Sequence, residues 1–166
     1  MPAKIGGGNK MEEYDPTNGR YCGSFNGFTK SYSKAMMLYD SYSEIKSTNK
    51  NSKMMPNYKK AITPDEKFVK YSLDETHEKG KHKAIVYKKV LGFTKDNFKL
   101  LKNQIHKAIT SGTASLISIN KNNYGIIEYN YEIRVVGINN KSAIVVAKYG
   151  ISKTKSKPFM ITNYVK

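Results

Sequence analysis

The stretch YSLDETHEKGKHKAIVYKKVLGFTKDNFKLLKNQI, Tyr71 to Ile105, decides how the rest of the chain is read. Two of the three histidines, His77 and His82, fall in it. Gly80 precedes the basic run Lys81-His82-Lys83, and Gly92 follows Leu91. Leu73 to Gly80 is polar and reads as a loop. From Lys81 to Leu91 no proline or glycine interrupts the chain, and a glycine at position 92 is the usual way to close a helix. The pattern predicts a helix there. Its centre, Ala84-Ile85-Val86-Tyr87, is also compatible with a strand, because a short apolar run has no decisive period. Thr94 is a cap for a further helix, and Asp96 suits its first turn, where a carboxylate meets the positive end of the helix dipole. Phe98, Leu101, Ile105 and Ala108 predict the buried stripe of that helix, and Gly112 its end.

Working outward toward the N-terminus, Thr63-Pro64-Asp65-Glu66 has the form of a helix start. Thr63 can cap, Pro64 fits the first helical position and Glu66 completes a capping box, so a helix is expected to about Tyr71. Ser47 to Lys60 is polar and reads as a linker. Ala35, Leu38, Tyr42 and Ile45 predict a short amphipathic helix over Ser33 to Lys46, either packed on the main domain or meeting a partner. Met1 to about Lys30 is rich in Gly, Asn, Ser and Tyr and is expected to form loops. The boundary falls near Lys60: residues 1–60 are an N-terminal segment and linker, and residues 61–166 a folded domain.

Toward the C-terminus the period changes to two. Leu116 to Ile119 predicts a short strand, and Asn120 to Asn123 a turn. Ile127, Tyr129, Tyr131, Ile133 and Val135 line one face of a long strand, with Glu128, Asn130, Glu132 and Arg134 on the other. A turn over Gly137 to Lys141 leads to Ala143, Val145, Ala147, Tyr149 and Ile151, which alternate again. Ser152 to Lys157 is expected to be a basic turn before a last strand, Phe159 to Val165. The fold class is therefore α+β: helices, then a four-stranded antiparallel sheet joined by short turns.

Charge points to the partner. The 166 residues include 29 Lys and Arg against 13 Asp and Glu, a net charge of +16. That excess favours a polyanionic partner. Only Arg20 and Arg134 are arginines. Lysine meets phosphate as a point charge, so contacts to the nucleic-acid backbone are expected rather than reading of bases by arginine. After Glu132 the chain holds no acidic residue, whereas Arg134, Lys141, Lys148, Lys153, Lys155, Lys157 and Lys166 follow. If they share a face, it is the footprint of a phosphate backbone.

Other classes find little support. The single cysteine, Cys22, cannot build a disulfide framework or a cysteine zinc site within one chain, and it is expected to be structural. No P-loop, HExxH or dinucleotide fingerprint is present, and the carboxylates suggest no two-metal cluster, so neither a metal nor a cofactor is expected. No stretch has signal-peptide or membrane-spanning character, so the expected setting is the cytoplasm, of the cell of origin or of one into which the protein is delivered.

Pro64-Asp65-Glu66-Lys67, Tyr71-x-Leu73, Gly80-Lys81-His82-Lys83-Ala84 and Leu91-Gly92-Phe93 together resemble a small phage- and toxin-associated domain family. That family is grouped with the barnase–EndoU–colicin–RelE-like nucleases. Tyr124-Gly125, the long strand ending at Gly137, and Ile161-Thr162-Asn163-Tyr164 fit the same pattern. The resemblance covers about Ala61 to Lys166. It implies helices on a four-stranded antiparallel sheet whose concave face cleaves RNA, tRNA among the candidates, and an immunity or antitoxin protein or a phage structural protein as partner. Where relatives often carry tryptophan on the third strand, this chain has Tyr149. The segment Glu13-Tyr14-Asp15-Pro16-Thr17-Asn18-Gly19-Arg20-Tyr21 resembles linkers ahead of such domains in phage head-morphogenesis proteins.

Metal-independent RNA cleavage needs a base for the 2′-hydroxyl, an acid for the leaving 5′-oxygen, and charge to stabilise the phosphorane. His82, just after Gly80 at a helix start, is the first candidate for proton transfer, since histidine titrates near neutrality; it is equally readable as an exposed loop histidine. Lys83 is the candidate for transition-state charge, or an ordinary surface lysine. His77 lies close enough in sequence to converge on the same site. Thr162 and Tyr164 share a strand face and can position substrate. Arg134 can bind the phosphate, or pair with Glu132 or Glu128. Lys148 and Lys157 are candidate backbone contacts. Glu128 and Glu132 are alternative carboxylate bases or surface ion-pair partners. His106 flanks an apolar stripe and is expected to be structural. The rival is a module that binds nucleic acid, or blocks a host enzyme, without turnover.

Overall fold

The computed structural model describes residues 54–166 and, ahead of them, residues 14–15, 20–21 and 34–36. Cys22, the glycine-rich start, and all but residues 34–36 of the expected Ser33 to Lys46 helix lie outside the described residues. Tyr14–Asp15 (β1) and Arg20–Tyr21 (β2) pair antiparallel. Ala35 and Met36 are buried in the main core.

The main sheet is a meander of Ser115–Lys121 (β3), Ile127–Val136 (β4), Ser142–Ser152 (β5) and Lys155–Val165 (β6), in spatial order β3-β4-β5-β6, antiparallel throughout. The α+β expectation holds, and so does the alternation that predicted it. Ile127, Tyr129, Tyr131, Ile133 and Val135 of β4 are buried beside Val145, Ala147, Tyr149 and Ile151 of β5. β6 starts earlier than expected: Lys155 to Lys157 are strand, not turn, because Lys155 already pairs with Ser152.

Among the described residues, two α-helices of several turns precede the sheet. Lys81–Leu91 (α1) is helical, which resolves the ambiguity of its Ala84–Tyr87 centre. Ala84, Tyr87 and Leu91 supply its buried stripe at helical spacing. Gly92 adopts φ of 73°, a left-handed conformation that glycine accepts without strain, and its N–H bonds to the Lys88 carbonyl. Thr94 and Asn97 form a reciprocal capping box, a short 3-10 turn follows, and Phe98–Thr110 (α2) then runs to the sheet. Leu101, Ile105 and Ile109 of α2 are fully buried, while Phe98 and Ala108 flank them. Gln104 binds both the N–H and the carbonyl of Val136, where β4 has outrun its β3 partner. The amide thereby satisfies backbone groups left without a strand neighbour.

The segment before α1 departs from expectation. Thr63 is not a helix cap. Its side chain is buried, and its hydroxyl bonds to the Tyr149 hydroxyl (2.7 Å) and to His106 Nδ1 (3.0 Å). A core hydroxyl pair outcompeted the local capping box. The following helical turn is wide: over Phe68–Ser72 the chain forms a π-helix, with the Leu73 N–H bonded to the Phe68 carbonyl five residues back. The Ser72 hydroxyl reinforces this turn by donating to the Lys67 carbonyl. Ahead of it, the expected linker is part of the packed unit from Met54 onward. Met55 is buried, and its N–H donates to the Tyr131 hydroxyl (2.8 Å).

Candidate functional site

Gly80 sets the position of α1. A side chain there would place its Cβ 2.2 Å from the Tyr71 carbonyl oxygen, so only glycine lets the helix start approach the π-turn this closely. Lys83, in the first turn of α1, then reaches across to the edge strand β6. Its Nζ donates to Thr162 Oγ1 at 2.7 Å. It also lies 3.5 Å from the Tyr71 hydroxyl, 4.6 Å from the Tyr71 ring centre and 5.6 Å from that of Tyr164. Among the described residues no carboxylate pairs with Lys83. An ammonium held by a hydroxyl and two ring faces keeps its full charge toward any anion that approaches. Tyr164 is partly exposed, so this cluster opens to solvent at the sheet edge.

Of the residues singled out from sequence, the fold thus gathers Lys83, Thr162 and Tyr164. Tyr71, which no chemical signal marked, joins them. His82 is adjacent on α1 and exposed, and its imidazole makes no hydrogen bond or ion pair with another described residue. His77 meets the cluster only through Tyr71, against whose ring it packs edge-on at 4.9 Å. Its Nδ1 accepts the N–H groups of Lys79 (3.1 Å) and Gly80 (2.9 Å). The proton of a neutral His77 therefore sits on Nε2, and the nitrogen that would act as base is occupied by the loop. The N–H groups of Lys81 and Lys83 are likewise taken, by the His77 and Gly80 carbonyls. The start of α1 offers an anion its side chains more than its backbone.

The remaining candidates are placed elsewhere. Arg134 donates to Ser142 Oγ (3.0 Å), not to a glutamate. It pairs in register with Ile144, whereas Thr162 pairs with Lys148. Four residues of strand separate those positions, about 13 Å. Lys148 is thus beside Thr162 but is engaged by Glu128 at 3.0 Å. Glu128 also accepts from Asn122 Nδ2 (2.9 Å), and Glu132 is ion-paired with Lys166. Lys157 is exposed, five residues before Thr162 on β6, roughly 16 Å at strand rise. The basic C-terminal run is therefore not a bare cationic face: β4 lays its glutamates across Lys148 and Lys166. Sequence order hid these pairs, since each joins residues far apart in the chain.

Behind the cluster the polar groups are neutral and satisfied. The Tyr87 hydroxyl donates to Asn163 Oδ1 at 2.7 Å, tying α1 to β6 next to Thr162. Burial raises the pKa of Tyr87, and likewise those of Tyr129, Tyr131 and Tyr149, well above the usual phenol range. These hydroxyls are structural donors and acceptors, not acids or bases near neutrality. His106, bonded to Thr63, belongs to the same scaffold. No group of three or more His, Cys, Asp or Glu among the described residues is placed to share a metal ion, and no described helix is long and apolar enough to cross a membrane.

Fold and site together define a small α+β domain with an uncompensated lysine where a helix start crosses the edge of an antiparallel meander. The chain belongs to the DUF6883 family, a domain of unknown function, whose family model matches residues 54–166. That match begins where the packed unit is first described in full, at Met54. No curated protein and no solved structure matches the chain.

Proposed function

We propose that the protein is a metal-independent endoribonuclease whose site is the Lys83–Thr162–Tyr71–Tyr164 cluster. The observation that carries this reading is Lys83: its ammonium is fixed by Thr162 and two rings and neutralised by no carboxylate among the described residues. A scissile phosphate at the sheet edge meets that charge, and Lys83 stabilises the extra negative charge of the phosphorane. His82 takes the proton of the 2′-hydroxyl as its oxygen attacks phosphorus. The bond to the 5′-oxygen then breaks, that oxygen takes a proton from water, and His82 returns its own proton to solvent. The products are a 2′,3′-cyclic phosphate and a 5′-hydroxyl. The net charge of +16 and the resemblance to the barnase–EndoU–colicin–RelE-like nucleases support RNA as the substrate. Toxin or phage effector action in a cell's cytoplasm, on tRNA or another structured RNA, is consistent with the same features.

One observation favours the rival, a binding module without turnover. His82 has no described partner to orient it, and a proton-transfer group works best when a neighbour fixes its tautomer. The deciding experiment is incubation of the purified protein with total RNA in EDTA, beside Lys83→Ala and His82→Ala. Discrete fragments made by the parent and lost in both folded variants are the expected result, with RNA affinity of His82→Ala nearly intact. RNA that is shifted but uncut by the parent overturns cleavage in favour of the binding module. Equal cutting by His82→Ala removes His82 from the mechanism.

A further inference from the structure

At the far end of the sheet from α1, the β3–β4 and β5–β6 turns enclose a cleft of about 500 Å³. Lys121 comes from the end of β3, Lys153 from the β5–β6 turn and Lys155 from the start of β6, and Phe159 forms part of the wall. None of the residues lining it is acidic. The nearest carboxylate on the adjoining strand, Glu128, is occupied by Lys148 and Asn122. Lys155 lies 5.3 Å over the Phe159 ring. At the rim stands Tyr124, 89% exposed. Its turn is ordered: Asn122 Oδ1 accepts the N–H groups of both Tyr124 (2.9 Å) and Ile126 (3.0 Å). Tyr124 is thus presented by a pre-organised loop, beside a concave basic surface.

We propose that this cleft is a second subsite for single-stranded RNA, which stacks a base on Tyr124 and holds the neighbouring phosphates with Lys121 and Lys155. An aromatic face beside Lys121 and Lys155, in a cleft lined by no acidic residue, is the chemistry that single strands select, because every base has a face to stack and every linkage a charge. A duplex keeps its bases stacked on each other and offers Tyr124 nothing. The cleft adjoins Ser152, four residues along β5 from Lys148, the partner of Thr162 in register. That is about 13 Å along the sheet, so one strand can occupy both places. This inference rests on RNA being the ligand; it does not require that the Lys83 cluster cuts.

The test is fluorescence anisotropy with a 2′-O-methyl RNA strand of about twelve nucleotides, which transesterification cannot cut, and with the same strand annealed to its complement. The proteins are the parent, Tyr124→Ala, the pair Lys121→Ala/Lys155→Ala, and a control pair, Lys107→Ala/Lys141→Ala, with the same loss of charge away from the cleft. Circular dichroism confirms that each is folded. Tyr124→Ala is expected to weaken single-strand binding roughly five- to a hundredfold while leaving the duplex nearly unchanged. The cleft pair is expected to lose about tenfold more than the control pair and to flatten the salt dependence. Single-strand binding by Tyr124→Ala equal to the parent's overturns the proposal. So does an equal loss in the two lysine pairs, which would mean diffuse charge alone. A parent that binds neither probe overturns this proposal and RNA recognition together. Normal binding by the cleft variants, alongside cutting that depends on Lys83, overturns this proposal only.

Discussion

Two sets of hydroxyl groups, one inside the sheet and one at its edge, meet opposite fates in this fold. Inside, Thr63, Tyr149 and His106 share hydrogen bonds, the Tyr131 hydroxyl takes the Met55 N–H, and Tyr87 binds Asn163. The hydroxyls and amides there satisfy one another, as burial demands, because an unpaired polar group in that environment costs far more than it returns. At the edge, Thr162 and Tyr71 instead receive an ammonium, Lys83, which no described carboxylate balances. The same chemistry, hydroxyl and ring, is structural where water is excluded and available for recognition where water and a ligand can enter. The two sets are joined at β6, where Asn163 faces α1 from within and Thr162 meets Lys83 from without.

The comparison breaks most sharply at Lys83. Replacing it with methionine keeps the length of the side chain and removes the charge. RNA cleavage should fall by about a hundred- to a thousandfold, the usual loss for a transition-state charge stabiliser, while thermal melting moves by no more than a few degrees. A variant that unfolds instead would place Lys83 with the structural set. Thr162→Val, which removes only the hydroxyl, should lower cleavage about tenfold, in line with a hydrogen bond to a charged group. On the inner side the expected pattern reverses. Tyr131→Phe leaves the buried Met55 N–H without an acceptor and should cost about 1–3 kcal/mol in urea denaturation, with RNA cleavage per folded molecule unchanged.

The smallest effect is expected in the loop that leads into α1. Hydrogen bonds from Thr76 and the nearby Lys95 ammonium lower the Asp74 pKa from 3.8 to about 2. Because the folded value lies below the unfolded one, Asp74 stabilises the protein fully above about pH 4, and that contribution fades as pH falls toward 2. Asp74→Asn should flatten the stability profile over this acid range and leave it unchanged in shape at neutrality. Chemical melts at a series of pH values measure it. An unaltered acid profile would show that the Thr76 hydrogen bonds and the Lys95 bridge do not together hold the Asp74 carboxylate in solution.

Several features were legible in the chain itself. Period-two alternation from Thr113 gave the four strands, and the bulk of β4 and β5 needed no tertiary knowledge. Gly92, Thr94 and the apolar spacing of α2 marked helix ends and the buried face. Lys83, Thr162 and Tyr164 were candidates on chemistry and resemblance. What misled was local pattern in a non-local setting. Thr63 has the sequence of a cap, yet its hydroxyl bonds to residues 43 and 86 positions away. Met54 to Lys60 has the composition of a linker, yet Met55 is bound by a tyrosine 76 positions on. The basic C-terminal run has no acidic neighbour in sequence but meets Glu128 and Glu132 across the sheet.

By itself the sequence determined the fold class, the order of the elements and the large positive charge, because these follow from side-chain periodicity, glycine placement and composition along the chain. Only the tertiary structure decided which cations remain without carboxylates. It separated Lys83 from Lys148 and Lys166, brought Tyr71 to the site, and turned His77 inward to hold its own loop. The physical reason is range. Periodicity is set by neighbours a few residues apart, whereas charge compensation depends on groups within a few ångströms in space, wherever they lie in the chain.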